Sequence, residues 1–301
     1  MFGRSPRVNG ALACLLASAI LLAGCTGKAA KRVPLAPGGG KVTLRFHPPK
    51  GDSYLYQRDF VGETDTTETR IIQTDILSTD NGEVRVVDTI KEINNTGDSE
   101  ERAKRRQESF KGAQIDRTCD QYAIVRDTRF PSGGADSQTS EQVDQDVSPG
   151  LQGVVFPSNP VGENWQWPAE LDWSDLLKII GNDAKLCDTP TATFTLKGAE
   201  DDGWRKLAVI DYKMVIKLSL FSSLFDEGSS AAKVLGGPHG SAMTVTILQN
   251  GTLRVDMGTG MVTQDRLQMD VIAGSHRRTR KATVTLKMLQ MTRRGVTTKF
   301  E

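Results

Sequence analysis

Alternation of apolar and polar residues with a period of two is the feature that most constrains this chain. Val42, Leu44 and Phe46 alternate with Thr43 and Arg45, and Ala192, Phe194 and Leu196 with Thr191, Thr193 and Thr195. Tyr212, Met214, Ile216 and Leu218 continue the pattern, with Val215 as its one exception. It returns in Met243-Val245-Ile247, Leu253-Val255-Met257, Leu267-Met269-Val271 and Ala282-Val284-Leu286-Met288. Successive side chains of a strand point to opposite faces, so each run makes one apolar and one polar face. The abundant Thr on the polar faces suits strands better than helices. The expected fold is α+β and mostly antiparallel: a curved sheet, meander or half-barrel of about ten strands with a few short helices.

Local signals set the expected connections. Asn81-Gly82 and Asn250-Gly251 each lie between apolar runs, and both predict a type I′ turn in a two-residue hairpin. Gly258-Thr259-Gly260 and Gly274-Ser275 mark further turns. Asp172 is placed to cap a short helix through Ile180, ending at Gly181. Leu218 to Leu235 reads as a strand running into a helix, and the charged stretch Asp98 to Ser109 as either helix or exposed loop. Residues 131–150 are polar and rich in Gly, Ser and Asp, a loop between halves 41–130 and 151–301. The halves open with similar phrases, Lys50-Gly51-Asp52-Ser53-Tyr54 and Val161-Gly162-Glu163-Asn164-Trp165, which leaves a diverged repeat open.

The N-terminus has the three parts of an export signal. Arg4 and Arg7 precede an apolar run from Ala11 to Ala23, too short to span a bilayer core of roughly 30 Å. Leu22-Ala23-Gly24-Cys25 closes it and resembles the lipobox of bacterial lipoproteins. That resemblance implies removal of residues 1–24 and acylation of Cys25. Two or more acyl chains hold a protein on a membrane durably, whereas one does so marginally. Thr26 follows Cys25, not the Asp that resembles an inner-membrane retention signal, so in a Gram-negative cell the resemblance implies the outer membrane, facing the periplasm. Residues 25–40 read as the lipidated Cys and a flexible tether reaching about 20 Å, followed by a β-rich body over 41–301.

In the 301 residues, Lys+Arg 38 balance Asp+Glu 37. That balance excludes a polycation built for nucleic acid and a disordered polyelectrolyte. With Cys14 in the leader and Cys25 lipidated, Cys119 and Cys187 remain. An even pair in an exported chain points to a disulfide, with two free thiols as the alternative. His47, His239 and His276 are dispersed and make no metal motif. His239, between Pro238 and Gly240, has the most site-like surroundings. Gly258-Thr259-Gly260 lacks the third Gly of a dinucleotide loop. No catalytic residue, metal ligand or cofactor is expected, and the reading is non-enzymatic.

Trp165, Trp167 and Trp173 crowd beside Phe156, Pro157, Pro160 and Pro168. They form either an aromatic wall facing a lipid, glycan or peptide, or a plug for one end of the sheet. The basic runs Arg102 to Arg106, His276 to Lys281 and Arg293-Arg294 are charged turns or contacts for anionic lipid.

The phrases Leu44-Arg45-Phe46, Lys50 to Tyr56, Phe156 to Trp165 and Gly251 to Val271 together resemble a family of bacterial cell-envelope lipoproteins of unknown function. Glu163 stands where that family's central phrase usually has Asp. The resemblance implies a lipid-anchored β-rich protein and no catalytic residue. A looser likeness of architecture links the chain to the periplasmic lipoprotein-carrier fold, a curved sheet around an apolar cavity. The expected function is that of a membrane-anchored binding or structural module, with a carrier of acyl chains or lipoproteins and a hydrolase as alternatives. The Met-rich face (Met214, Met243, Met257, Met269, Met288) suits the carrier, because Met adapts to varied apolar partners. Expected partners are the membrane through Cys25 and a lipid or envelope protein, not nucleic acid.

Overall fold

The computed structural model describes residues 31–35, 40–62, 67–97, 99–129, 154–170, 184–220, 243–273 and 278–300. Within them the alternating runs form one antiparallel sheet, except residues 42–46, which are extended but join no strand beyond a single bridge. In chain order the strands are β1 (Lys31–Val33), β2 (Ser53–Gly62), β3 (Thr67–Asp80), β4 (Glu83–Asn95), β5 (Gln114–Asp120), β6 (Val125–Arg129) and β7 (Gln166–Glu170). They continue as β8 (Ala184–Leu186), β9 (Thr191–Asp201), β10 (Lys206–Leu220), β11 (Met243–Asp256), β12 (Val262–Ala273), β13 (Arg278–Arg293) and β14 (Val296–Lys299). Helix α1 (Glu100–Phe110) connects β4 to β5. The spatial order is β1-β9-β10-β11-β12-β13-β2-β3-β4-β5-β6, with β7 on β9, β8 on β10 and β14 on β13.

The fold expectation is therefore met: the protein is mostly antiparallel sheet. The first half of the chain (β2 to β6) and the second (β9 to β13) meet where β13 pairs with β2. The two similar opening phrases each lead into a strand, but the left-handed φ falls at Gly51 in one and at Asn164 in the other.

Asn81 and Gly82 have φ of 54° and 80°, the two positive values that a type I′ turn requires, and they join β3 to β4. Asn250-Gly251 does not turn. β11 runs straight through it, Asn250 opposite Lys213 and Gly251 opposite Tyr212. The reason lies across the strand: a Cβ on Gly251 would stand 2.5 Å from the Tyr212 ring. The glycine is there to admit an aromatic ring that covers it, not to reverse the chain.

Helix α1 resolves the charged stretch. Glu100 and Glu101 occupy its first turn, where the helix dipole favours anions, and Glu101 pairs with Arg105 one turn on. Gly112, at φ 85°, ends it. Phe110 closes a small apolar cluster with Ile72, Ile90, Ile93 and Ile115. The helix expected from Asp172 to Gly181, the stretch from Phe221 to Leu235 and the polar loop 131–150 lie outside the described residues.

One end of the sheet is closed by residues 41–49, which run as an extended strap. Val42 pairs with Val161, Phe46 N–H donates to Gln121 O in the β5–β6 turn, and His47 N–H donates to Thr259 O in the β11–β12 turn. Neighbouring residues of the strap thus bond turns that stand far apart in strand order, which requires the sheet to curl around it. Arg205, in the β9–β10 turn, reaches Met288 on β13 and lies over the Phe300 ring at 4.0 Å, another mark of that curl. Gly260 (φ 75°) presses its backbone on the strap so closely that a Cβ would meet Arg45 O at 2.1 Å. Leu44, Phe46, Val154, Phe156 and Val161 cap the main core at this end. Among the described residues no helix is long and apolar enough to cross a membrane.

Candidate functional site

The inner face of the curl is apolar by strand parity: Phe194 and Leu196 on β9, Ile210 and Met214 on β10, Leu253 on β11, Leu267 on β12, Leu286 and Met288 on β13. Polar side chains break into this face at the same parity, and they are the chemically distinctive part of the molecule. Asp265, 4% exposed, continues the inward register of Leu267 and Met269. Its carboxylate accepts from the Tyr212 hydroxyl at 3.2 and 3.3 Å. Burial pushes its pKa up to about 7, against the pull of the Tyr212 hydrogen bond and the Arg58 charge. Burial, with the Asp265 charge behind it, holds the Tyr212 phenol well above its ordinary value.

A second group sits across β3, β4 and β5. Asp88 lies opposite Thr74, whose hydroxyl donates to it, and 2.8 Å from Arg117 Nη2. Arg117 is 1% exposed, and its Nε has no hydrogen-bond partner. Burial raises the Asp88 pKa, while Arg117 and then Thr74 pull it down. This pair separates the small Ile cluster under α1 from the main core, because Ile90 and Ile115 lie on one side of it and Val86 and Cys119 on the other. A third group closes the strap end: Tyr54 Oη and Arg293 Nε both donate to buried Asp52, at 3.0 and 2.7 Å.

The expected site residues fare differently. Trp167 is buried, stacks on Phe194 at 5.6 Å between centroids, and donates its indole N–H to Val155 O. It is a plug of the core, not a wall. Trp165 is 46% exposed, with Lys41 Nζ 4.1 Å above its ring. Trp173, Cys25, His239 and His276 lie outside the described residues. The expected disulfide is not formed: Cys119 is a free, buried thiol and Cys187 a free, exposed one. Cys119 faces the core from β5, while Cys187 follows β8 beside β10, with six strands between β5 and β10 in the sheet order. Burial pushes the Cys119 thiol up to about 12, so it stays protonated and unreactive.

The expected tether also differs. Part of it is strand β1, paired with β9 from Lys31 opposite Asp201 to Val33 opposite Ala199. Leu35 is buried in the core, and its carbonyl accepts from Lys206 Nζ.

Sequence reasoning missed Asp265, Asp88 and Arg117. Their signal was parity: each is a charged residue at an inward position of an otherwise apolar alternation. What the arrangement can do chemically is gain or lose a proton near neutral pH at Asp265, inside an apolar surround whose other polar side chains engage one another. Among the described residues no three His, Cys, Asp or Glu side chains group so as to hold a metal ion. Compared with known proteins, the chain matches no family model and no curated relative.

Proposed function

We propose that this chain is a lipid-anchored protein of the bacterial cell envelope, held through acyl groups on Cys25, whose sheet is a non-enzymatic binding module with its inner face toward the ligand. In a Gram-negative cell its place is the outer membrane, facing the periplasm. The lipobox and the resemblance to envelope lipoproteins support the anchor. One observation carries the binding reading: Asp265 with Tyr212, and Asp88 with Arg117, are buried among the apolar residues of the inner face. Buried ion pairs and carboxyls contribute little to stability compared with apolar residues of the same volume. Their use here fits a floor that meets an amphipathic ligand.

A second reading, a carrier of acyl chains or lipoproteins, is favoured by the inner-face methionines. Met214 and Met288 are buried there, and Met269 is half-buried. The test is native mass spectrometry of the Cys25→Ser chain purified without detergent, before and after organic extraction. The binding reading expects an extractable amphipathic adduct. A series of adducts spaced by methylene pairs marks the carrier. An adduct-free protein whose melting temperature ignores added envelope lipids contradicts both.

A further inference from the structure

We propose that the end of the sheet at the β9–β10 turn, where the N-terminal segment joins the edge of β9, is a membrane-facing surface, with Trp204 seated among the headgroups of a phospholipid bilayer. This rests on the anchor reading above and adds an orientation to it.

The N-terminal segment is docked on the sheet. β1 runs antiparallel to β9 with Lys31 opposite Asp201, so the chain joins the sheet beside the β9–β10 turn, Asp202 to Arg205. Cys25 precedes Lys31 by six residues. Six Cα–Cα steps, fully extended, span at most about 20 Å. An acylated sulfur at the bilayer surface therefore keeps this turn beside the headgroups. A free tether through Gly40 would leave the orientation open, but the strand pairing removes that freedom.

The turn is built to hold its shape. Asp202 Oδ1 accepts from the backbone N–H of Trp204 at 2.9 Å and of Arg205 at 2.7 Å, and Oδ2 accepts from the Arg205 guanidinium. Gly203 supplies the left-handed φ of 87°. The Trp204 side chain is left 75% exposed, more than any other large apolar residue described. A single exposed apolar residue needs no explanation by itself. This one is the amphipathic indole that favours the membrane–water interface, and it stands where the anchor attaches.

The neighbouring edge of β9 agrees. Half-exposed Trp165, beneath the Lys41 ammonium, bonds Leu196 through its carbonyl. Lys31 is exposed beside the turn, in reach of anionic lipid, whereas Arg32 next to it is held by Glu163 and the Lys197 carbonyl.

The full chain, isolated from bacterial membranes, is reconstituted into vesicles of phosphatidylethanolamine, phosphatidylglycerol and a dibrominated phosphatidylcholine. Flotation and intact mass report the anchor, and bromine quenching of tryptophan reports the surface. The expected result is a floating, acylated protein whose fluorescence is quenched, with most of that quenching lost in Trp204→Phe. A floating, acylated protein with quenching absent, or unchanged by Trp204→Phe, overturns the surface and leaves the anchor standing. A chain without acyl groups overturns the anchor. Trp204-dependent quenching on simple mixing with the vesicles then still supports the surface, and its absence overturns that too.

Discussion

At the scale of single residues, the consequential feature is ionisable groups placed where strand parity calls for apolar ones. Asp265 has a native pKa of about 7, above the roughly 4 of an unfolded Asp. The native state therefore holds the proton more tightly. The associated stability is present in full below about pH 4 and is lost as pH rises through about 7. Asp265→Asn should remove this loss: urea unfolding at pH 8 will find the variant more stable than the parent, while at pH 4 the two nearly coincide. A parent–variant difference that is flat with pH would contradict the burial of that carboxyl.

Asp88 and Arg117 make the complementary case. Arg117→Met leaves a buried carboxyl unpaired and should cost about 3–5 kcal/mol, whereas adding Asp88→Asn to it should restore most of the loss. A double-mutant cycle in urea reads the coupling, and strictly additive losses would mean that the two groups do not interact. These positions were legible in principle. Asp88 follows Val84 and Val86 at the same parity, and Asp265 precedes Leu267 and Met269. Their chemistry was not legible, because burial and cross-strand neighbours decide a pKa and neither is local in sequence.

Among the elements, alternation identified strands well and hairpin chemistry less well. Asn-Gly carries the same local preference at 81–82 and at 250–251, yet only the first turns. At the second, β10 lies alongside and supplies Tyr212, and fourteen continuous pairings between β10 and β11 outweigh a turn preference. Gly251→Ala should therefore destabilise by about 1–3 kcal/mol through overpacking against the ring, and part of that cost should vanish in a Tyr212→Leu background. Equal cost in both backgrounds, measured by thermal denaturation, would contradict the contact.

The strap gives the larger effect. Gly260→Ala combines a left-handed φ with a Cβ driven into the Arg45 carbonyl, and both faults must be relieved by moving backbone. A loss of more than about 3 kcal/mol is expected, with hydrogen exchange accelerated at Phe46 and His47, whose amides bond the two turns. Nothing local in residues 41–49 announced a strap. Its short alternation reads as an ordinary strand, and only the two turns it bonds give it another role.

For the molecule as a whole, one antiparallel sheet curls around a strap, and the chain enters at the edge of β9 a few residues after Cys25. The architecture was legible because a period of two, repeated along most of the chain, admits few folds. The disulfide was misjudged for the reverse reason: an even number of cysteines says nothing about which face or which end of a sheet each one occupies. The docking of β1 was hidden by its composition, since Lys31-Arg32-Val33 between Gly- and Pro-containing stretches resembles linker. Exposed Cys187 should react with a maleimide in the native protein, while Cys119 should react only on unfolding. Two protected thiols, released by reduction, would contradict the free pair.

The fate of Cys25 decides where this protein works, and intact-mass analysis of the protein from fractionated bacterial membranes measures it directly. The predicted result is a membrane-bound chain beginning at Cys25 with acyl mass added. A chain with its leader intact, or with its processed terminus bare of hydrocarbon, would contradict it.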